Sequence, residues 1–527
     1  MEITRRNLIR TTAALGGIAV VGGRGLAAEA VAGVRVLTTL ERVLERGDAN
    51  SAGWRRVVAR PGESHRVRDP LAPAKSGRKG RRTNILTFVQ FSDVHIVDAQ
   101  SPMRFEGQDK PPSSGVSASA YRPHEVLSGH TAEAMVRQIN AISAAPVMGQ
   151  PLAFAIQTGD NSDNGQYNEI RWNIDILDGG QQITVNSGDP TKYEGVMDQD
   201  PAFYDPMFYH PDGQPSGAAK DMYRTKHGFP KIPGLLDKAI APFQATGLQI
   251  PWYVALGNHD ELMQGNFPHG PAFNNIAVGP TKQTTKGPRT VTADANRRLL
   301  SRAETVAEHF TTASSPGPVG HGFTSQNQSD GTAYYAFDAP GGLVRVLVMD
   351  SIRATGTQFG EIDATQLTWL QSELDAATDQ LVIAASHHPS WTFFDPANAQ
   401  DVLNRFKAHP NVIGWFNGHT HKNTVKVHKK VVGGFWEVNT CAHIDWPIQS
   451  RVIEIADNHD GTLSIFTTLV DHSAPLNPGR YDSTMKLAGL ARAMAANDTD
   501  PEVADRRARR KDRNVELMVP APPFLTA

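Results

Sequence analysis

Cysteine is nearly absent: Cys441 stands alone among 527 residues. Intramolecular disulfides and thiolate zinc sites are therefore excluded, and the fold must rest on its core without covalent cross-links. An excess of one charge is also missing. The formal net charge is −2 and the isoelectric point is near 6.8, so there is no electrostatic case for nucleic acid or an anionic membrane surface. No repeat recurs at a fixed period, which removes the signature of a solenoid or an array. Long hydrophobic runs are lacking too. The apolar stretch at residues 11–23 is short and broken by glycine, so no stable membrane anchor is expected. What is present is enough for a large interior: 39% of the residues are hydrophobic.

The N-terminus reads as a targeting segment. Thr4-Arg5-Arg6-Asn7-Leu8-Ile9-Arg10 looks like a twin-arginine export motif. A Gly/Ala-rich stretch follows, and Ala28-Glu29-Ala30 offers small residues for cleavage. Residues 1–30 are thus expected to be a signal peptide, with the twin-arginine export machinery as partner. The mature protein is expected outside the cytoplasm, as an extracellular, cell-wall-associated or periplasmic protein. No cysteine lies near the cleavage region, so no lipid anchor is expected.

Residues 31–82 read as an N-terminal extension. It holds a charged, helix-like piece at 40–46 and a basic, solvated loop at 75–82. The main domain is expected over 83–475. Within it, residues 175–234 lack periodicity but carry Tyr204, Phe208, Tyr209 and Tyr223, and read as a cap beside a site. A single helix is expected over 293–310 and an amphipathic one over 365–377. Residues 476–527 are expected to form a helical segment followed by a loose Pro-rich end.

Five apolar, β-rich runs punctuate the main domain, and each ends in metal-ligand residue types. Residues 84–91 lead to Ser92-Asp93-Val94-His95, and 152–157 to Thr158-Gly159-Asp160-Asn161. Residues 250–256 lead to Gly257-Asn258-His259-Asp260, and 380–385 to Ser386-His387-His388-Pro389. Residues 412–416 lead to Asn417-Gly418-His419-Thr420-His421. Imidazole and carboxylate are the common ligands of borderline and hard cations, and glycine lets backbone approach a metal closely. Any one of these motifs arises by chance in a chain with 19 histidines. Their joint position at strand carboxyl ends is where sheet-based α/β proteins build sites.

The order Asp-x-His, Gly-Asp, Gly-Asn-His-Asp, His-His-Pro, Gly-His-x-His resembles the calcineurin-like metallophosphoesterases. Residues 439–451, with Ala442-His443-Ile444-Asp445-Trp446, further resemble an exported, actinobacterial-type branch. The resemblance implies a four-layer α/β/β/α sandwich of two mixed β-sheets with long loop insertions. It implies a binuclear centre in which Asp93, His95, Asp160 and His421 hold one ion. Asp160, Asn258, His387 and His419 hold the second, Asp160 bridging. His387 is preferred to His388 because the family's ligand sits two residues before the proline. The implied nucleophile is a metal-bridging hydroxide. His259 is implied to act beside the substrate phosphate, with Asp260 orienting it. His388 and His443 are candidates for the substrate pocket. The oxygen and nitrogen donors do not select among iron, manganese and zinc.

The expected activity is hydrolysis of a small phosphomono- or phosphodiester outside the cytoplasm. Preference between the two is left to the loops at 99–130, 175–234 and 261–322. Two alternatives remain: an exported nucleotidase or nuclease, and a non-catalytic exported protein that binds metal or another ligand on the same fold. The absence of a basic, aromatic-studded stripe weighs against a nuclease.

Overall fold

The computed structural model describes residues 38–109, 119–311 and 315–526. The signal-peptide segment at 1–30 lies outside the described residues. Residues 36–527 form one compact unit.

The strands in chain order are β1 (Arg42–Ala49), β2 (Arg55–Pro61), β3 (Arg66–Arg68), β4 (Thr83–Phe91), β5 (Ala155–Thr158), β6 (Trp252–Ala255), β7 (Tyr335–Asp338) and β8 (Val344–Val348). They continue as β9 (Leu381–Ala385), β10 (Val412–Asn417), β11 (Thr424–Lys429), β12 (Gly434–Asn439), β13 (Gln449–Asp457), β14 (Thr462–Asp471) and β15 (Val515–Pro520). Two large sheets result. One has seven strands in the order β3-β15-β14-β13-β4-β5-β6, and the other six in the order β7-β8-β9-β10-β12-β11. Both are mixed. β4, β5 and β6 run parallel beside antiparallel β13, β14 and β15. β8, β9, β10 and β12 run parallel between antiparallel edges β7 and β11.

β9 shows why its run reads as continuously apolar. Leu381, Ile383 and Ala385 face the inter-sheet core, while Val382 and Ala384 face the outer helices. A strand covered on both faces keeps its period of two but has no polar side to reveal it. Across the core the Phe88 and Phe416 rings meet edge to face at 5.4 Å, and Gln90 Nε2 donates to the Asn417 carbonyl.

Helices close both outer faces. α1 (Ser128–Asn140) and α2 (Tyr167–Asp178) lie over the seven-stranded sheet, contributing Met135, Ile139, Ile170 and Ile174 to its core. α4 (Ala364–Ala376) and α5 (Pro396–Ala408) pack Leu370, Leu374, Val402 and Phe406 against Val382 and Trp415. α4 starts where the Asp363 side chain accepts from Gln366 N, and α5 where Asp395 caps a helix that begins with proline. The result is the expected α/β/β/α sandwich. No helix among the described residues is long and apolar enough to cross a membrane.

Four local expectations are corrected. The piece at 40–46 is not helical: β1 pairs antiparallel with β2 and buries Val43 and Leu44, so tertiary pairing overrides a weak helical pattern. The stretch at 293–310 is broken, because Ser301 and Glu304 form a capping box that starts α3 (Arg302–Glu308) afresh. The 75–82 run is tied down: Arg78 and Arg82 both pair with Glu516. The end of the chain is not loose. After α6 (Thr484–Ala495), residues 515–519 of β15 are buried between β14 and β3. The segments at 31–82 and 476–527 therefore both contribute strands to the main sheet, and neither is an appendage to it.

A candidate binuclear metal centre

Every parallel strand that ends in a candidate ligand delivers it to one place, between the carboxyl edges of the two sheets. β4, β5 and β6 present Asp93, His95, Asp160, Asn258 and His259. β9 and β10 present His387, His419 and His421. The backbone turns sharply to do so. Asp93, His95, Asp160, His419 and His421 all adopt left-handed φ values between 44° and 72°. Such residues cost on the order of 1–3 kcal/mol each and concentrate at functional sites. Gly418 and Gly257 permit the close approach. A Cβ on Gly418 would lie 1.9 Å from Ser92 Oγ, and one on Gly257 would lie 2.3 Å from Asp160 Oδ1.

Ligand atoms of Asp93, His95, Asp160 and His421 lie within 4.8 Å of one another, as do those of His387, His388 and His419. His421 Nε2 is 3.2 Å from Asp93 Oδ1 and 3.3 Å from His95 Nε2. Asp160 Oδ2 lies between the groups, 3.0 Å from His387 Nε2 and 3.7 Å from His95 Nε2. His419 Nδ1 is 3.3 Å from His387 Nε2. Donors about 2.0–2.2 Å from a shared ion sit at separations of this size.

The other ring nitrogens are occupied, which orients each imidazole. His95 Nδ1 meets Asp163 Oδ1 at 3.1 Å, and His387 Nδ1 donates to the Thr158 carbonyl at 2.9 Å. His421 Nδ1 donates to Asp445 Oδ2. Asn258 Nδ2 donates to the Gly265 carbonyl at 3.0 Å, which leaves Oδ1 a buried acceptor without a hydrogen-bond partner. An orphaned amide oxygen beside imidazoles and carboxylates is what a cation would satisfy, so the residues present fit a metal pair.

The electrostatics agree with that fit. Burial pushes the Asp160 carboxyl up, but the adjacent His387 charge and hydrogen bond override it and hold it well below the usual range. Burial opposes charge on His387 too, yet Asp160 raises it to about 9. Asp93 is likewise held low by His421 against its burial. Asp160 and Asp93 thus keep carboxylate charge in spite of their burial.

The remaining expected residues are engaged with other partners. His388 has both nitrogens engaged, Nδ1 with Ser351 Oγ at 2.9 Å and Nε2 with the Gln358 carbonyl at 3.1 Å, and it does not line the cavity. His443 is buried under the site and away from the cavity. It stacks on Phe91 and bonds Ser450 Oγ, because its loop is pinned beneath Asp93 by backbone hydrogen bonds. Asp260 does not orient the His259 ring. Its carboxylate accepts from Gly257 N, from Asn161 N and Nδ2, and from Ser162 N and Oγ, so it fastens the β6 loop to the β5 loop. Burial and nearby Asp160 raise it to about 6. The His259 ring is held by the Asp163 carbonyl, which accepts from Nδ1 at 2.8 Å.

Three contributors escaped sequence reasoning. Asp163 meets His95 and is itself gripped by buried Arg104, which also pairs with Glu125 at 2.6 Å. Its signal was the second aspartate of Gly159-Asp160-Asn161-Ser162-Asp163. Asp445 stands in the quoted segment 439–451, where nothing marked it as a partner of His421, and Arg506 had no local signal. The cavity above the ligands measures about 210 Å³. His259, Arg122, Asn266, Gln358, Glu502 and Arg506 contribute to its wall. None of its lining comes from residues 175–234. That insertion instead packs Phe208, Tyr209 and Tyr223 against Leu487, Leu490 and Met494 of α6, so it is not a cap over this cavity.

The calcineurin-like phosphoesterase family profile matches residues 86–423, more than half of the chain and all five motifs. The chain belongs to the calcineurin-like phosphoesterase family. Solved structures similar to this chain include a dimetal phosphatase of Danio rerio, at 12% identity and a TM-score of 0.37, covering 74% of this chain and 100% of that one. A Staphylococcus aureus protein described as a 5′-nucleotidase matches at 11% and 0.27, covering 73% and 54%. A Thermus thermophilus sulfate thiohydrolase matches at 11% and 0.29, covering 78% and 61%. No curated protein sequence matches the chain.

Proposed function

We propose that this member of the family is an exported, two-metal hydrolase of small phosphomono- or phosphodiesters. The observation that carries the reading is the position of Asp160, whose carboxylate stands between His387 and His95 and so between two ligand groups. Asp93, His95, Asp160 and His421 would hold one ion, and Asp160, Asn258, His387 and His419 the other. Bound iron, manganese or zinc supplies Lewis acidity at the phosphoryl oxygens and lowers the pKa of bound water toward about 7.

The chain's own residues do the rest. His259 lines the cavity with Nδ1 committed to Asp163, which leaves Nε2 to meet a phosphoryl oxygen or to give a proton to the leaving oxygen. Burial holds this imidazole below its usual pKa, so it is a weak base and a ready proton donor once charged. The modest cavity favours small substrates. The twin-arginine motif supports export, and buried Cys441, with its thiol pushed up to about 12, suits a protein that needs no disulfide.

The test is elemental analysis of the folded protein together with turnover of p-nitrophenyl phosphate and bis-p-nitrophenyl phosphate. Two ions per chain and turnover of either ester are expected. No metal after growth in replete medium, or two ions with neither ester cleaved by a broad screen, overturns the reading. Cell fractionation with Arg5→Lys/Arg6→Lys tests export: cytoplasmic retention of the variant is expected, and unchanged export refutes it.

A further inference from the structure

We propose that Asp445 and Arg506 are positioning residues for His421, which makes the C-terminal segment around 500–506 a working part of the metal centre. Asp445 is buried and makes three strong contacts. Its Oδ2 accepts from His421 Nδ1, and the same oxygen is 2.7 Å from Arg506 Nη1. Its Oδ1 accepts from Arg122 Nε at 2.8 Å. The carboxylate is held in place by two guanidinium groups.

A carboxylate oxygen accepting from Nδ1 fixes both the tautomer and the rotation of His421. Nε2 is thereby aimed at Asp93 and His95, and its basicity as a donor rises. Arg506 comes from a segment with no part in the five motifs, and it is held by its own partner, Asp500, six residues earlier in the chain. Asp500, Glu502 and Arg506 also form part of the cavity wall. The segment is anchored on both sides, by α6 before it and β15 after it, so Arg506 is delivered from a fixed scaffold. The chain's end thus shares this wall with Arg122 of the 99–130 loop and Asn266 of the 261–322 loop.

This inference rests on the two-metal reading, and its test separates the two. Arg506→Ala, Arg506→Lys and Asp445→Asn are compared with wild type and with Arg509→Ala, an exposed neighbour on the same segment. Thermal melting and circular dichroism report folding. Bound metal is measured after graded chelator challenge, and kcat and KM on p-nitrophenyl esters. Arg506→Ala and Asp445→Asn are expected to release one of two ions at about 10- to 100-fold lower chelator strength and to lower kcat. Arg506→Lys is expected to restore part of both, and Arg509→Ala to match wild type. If Arg506→Ala does not fold, the graded response of Arg506→Lys and Asp445→Asn decides. Wild-type metal retention and kcat in the folded variants overturns the inference while leaving the two-metal reading intact. Wild type without metal overturns both. Two ions without turnover, with one ion weakened in the variants, upholds the positioning role and refutes only the enzymatic one.

Discussion

Asn258 Nδ2 and the Gly265 carbonyl are 3.0 Å apart, and this one hydrogen bond decides which face of the amide looks into the candidate metal centre. With the NH₂ group committed, Oδ1 is left buried and unpaired. Asn258→Ala is expected to lose one ion from the pair and at least about 100-fold in turnover, because an ion short of a ligand cannot stabilise transition-state charge. Elemental analysis beside kinetics checks it; two ions at full occupancy would show that Asn258 is not a ligand.

Asp160 is expected to matter more. Its carboxylate is the one group within reach of both ligand sets, so Asp160→Ala should leave fewer than one ion per chain and no measurable turnover. The same change also removes the acceptor of the His259 backbone N–H at 2.8 Å. Retention of two ions and activity would refute the bridging role.

His259→Ala should separate binding from chemistry. Both ions are expected to remain, because the ring is held by the Asp163 carbonyl and none of the proposed ligands depends on it. Turnover should fall by about 100-fold or more, the usual size of a lost proton donor. Loss of metal in place of turnover would move His259 into the ligand set.

Gly418 tests the packing beneath the site. A methyl group there would meet Ser92 Oγ at 1.9 Å and Asp93 Oδ2 at 2.5 Å. Gly418→Ala is expected to displace Asp93, weaken metal retention and lower the melting temperature, while Gly80→Ala, where nothing lies within 4 Å, serves as the neutral comparison. Equal melting and metal content in the two variants would contradict the crowding seen at Gly418.

Buried neutral imidazoles should make stability fall in acid. His309 is buried between Trp252 and Phe323, and burial lowers it to about 3. Above the unfolded value of 6.5 neither state is protonated there. Between about 6.5 and 3 the unfolded chain binds a proton that the folded chain refuses, so stability is lost as pH falls. His309→Phe is expected to reduce that slope by up to about 1.4 kcal/mol per pH unit. Chemical denaturation at pH 7 and pH 5 measures it, and an unchanged slope would show that His309 is protonated in the fold.

How much of this was legible beforehand depends on how local the information is. β4, β9 and β10 were readable because burial on both faces leaves uninterrupted apolar runs, and a ligand at a strand end follows within a few residues. β1 was misread because its eight residues carry weak patterning and gain their identity only from pairing with β2. β15 was hidden beside prolines and a basic stretch, and it is a strand because β14 and β3 take up its hydrogen bonds.

The sequence by itself determined the two-sheet family, the order of the five motifs and the scarcity of any chemistry based on sulfur. Only the tertiary structure decided which nitrogen of each imidazole faces the centre, that His388 and His443 are committed to other partners, and that Asp260 ties loops together without touching the His259 ring. It also decided that residues 500–506, and not the long insertion, form part of the cavity wall. The physical reason is sequence separation. A motif is written in neighbouring residues, whereas the Asp445 contacts to Arg122, His421 and Arg506 exist only once the two sheets have packed face to face and set those distant residues within hydrogen-bond reach.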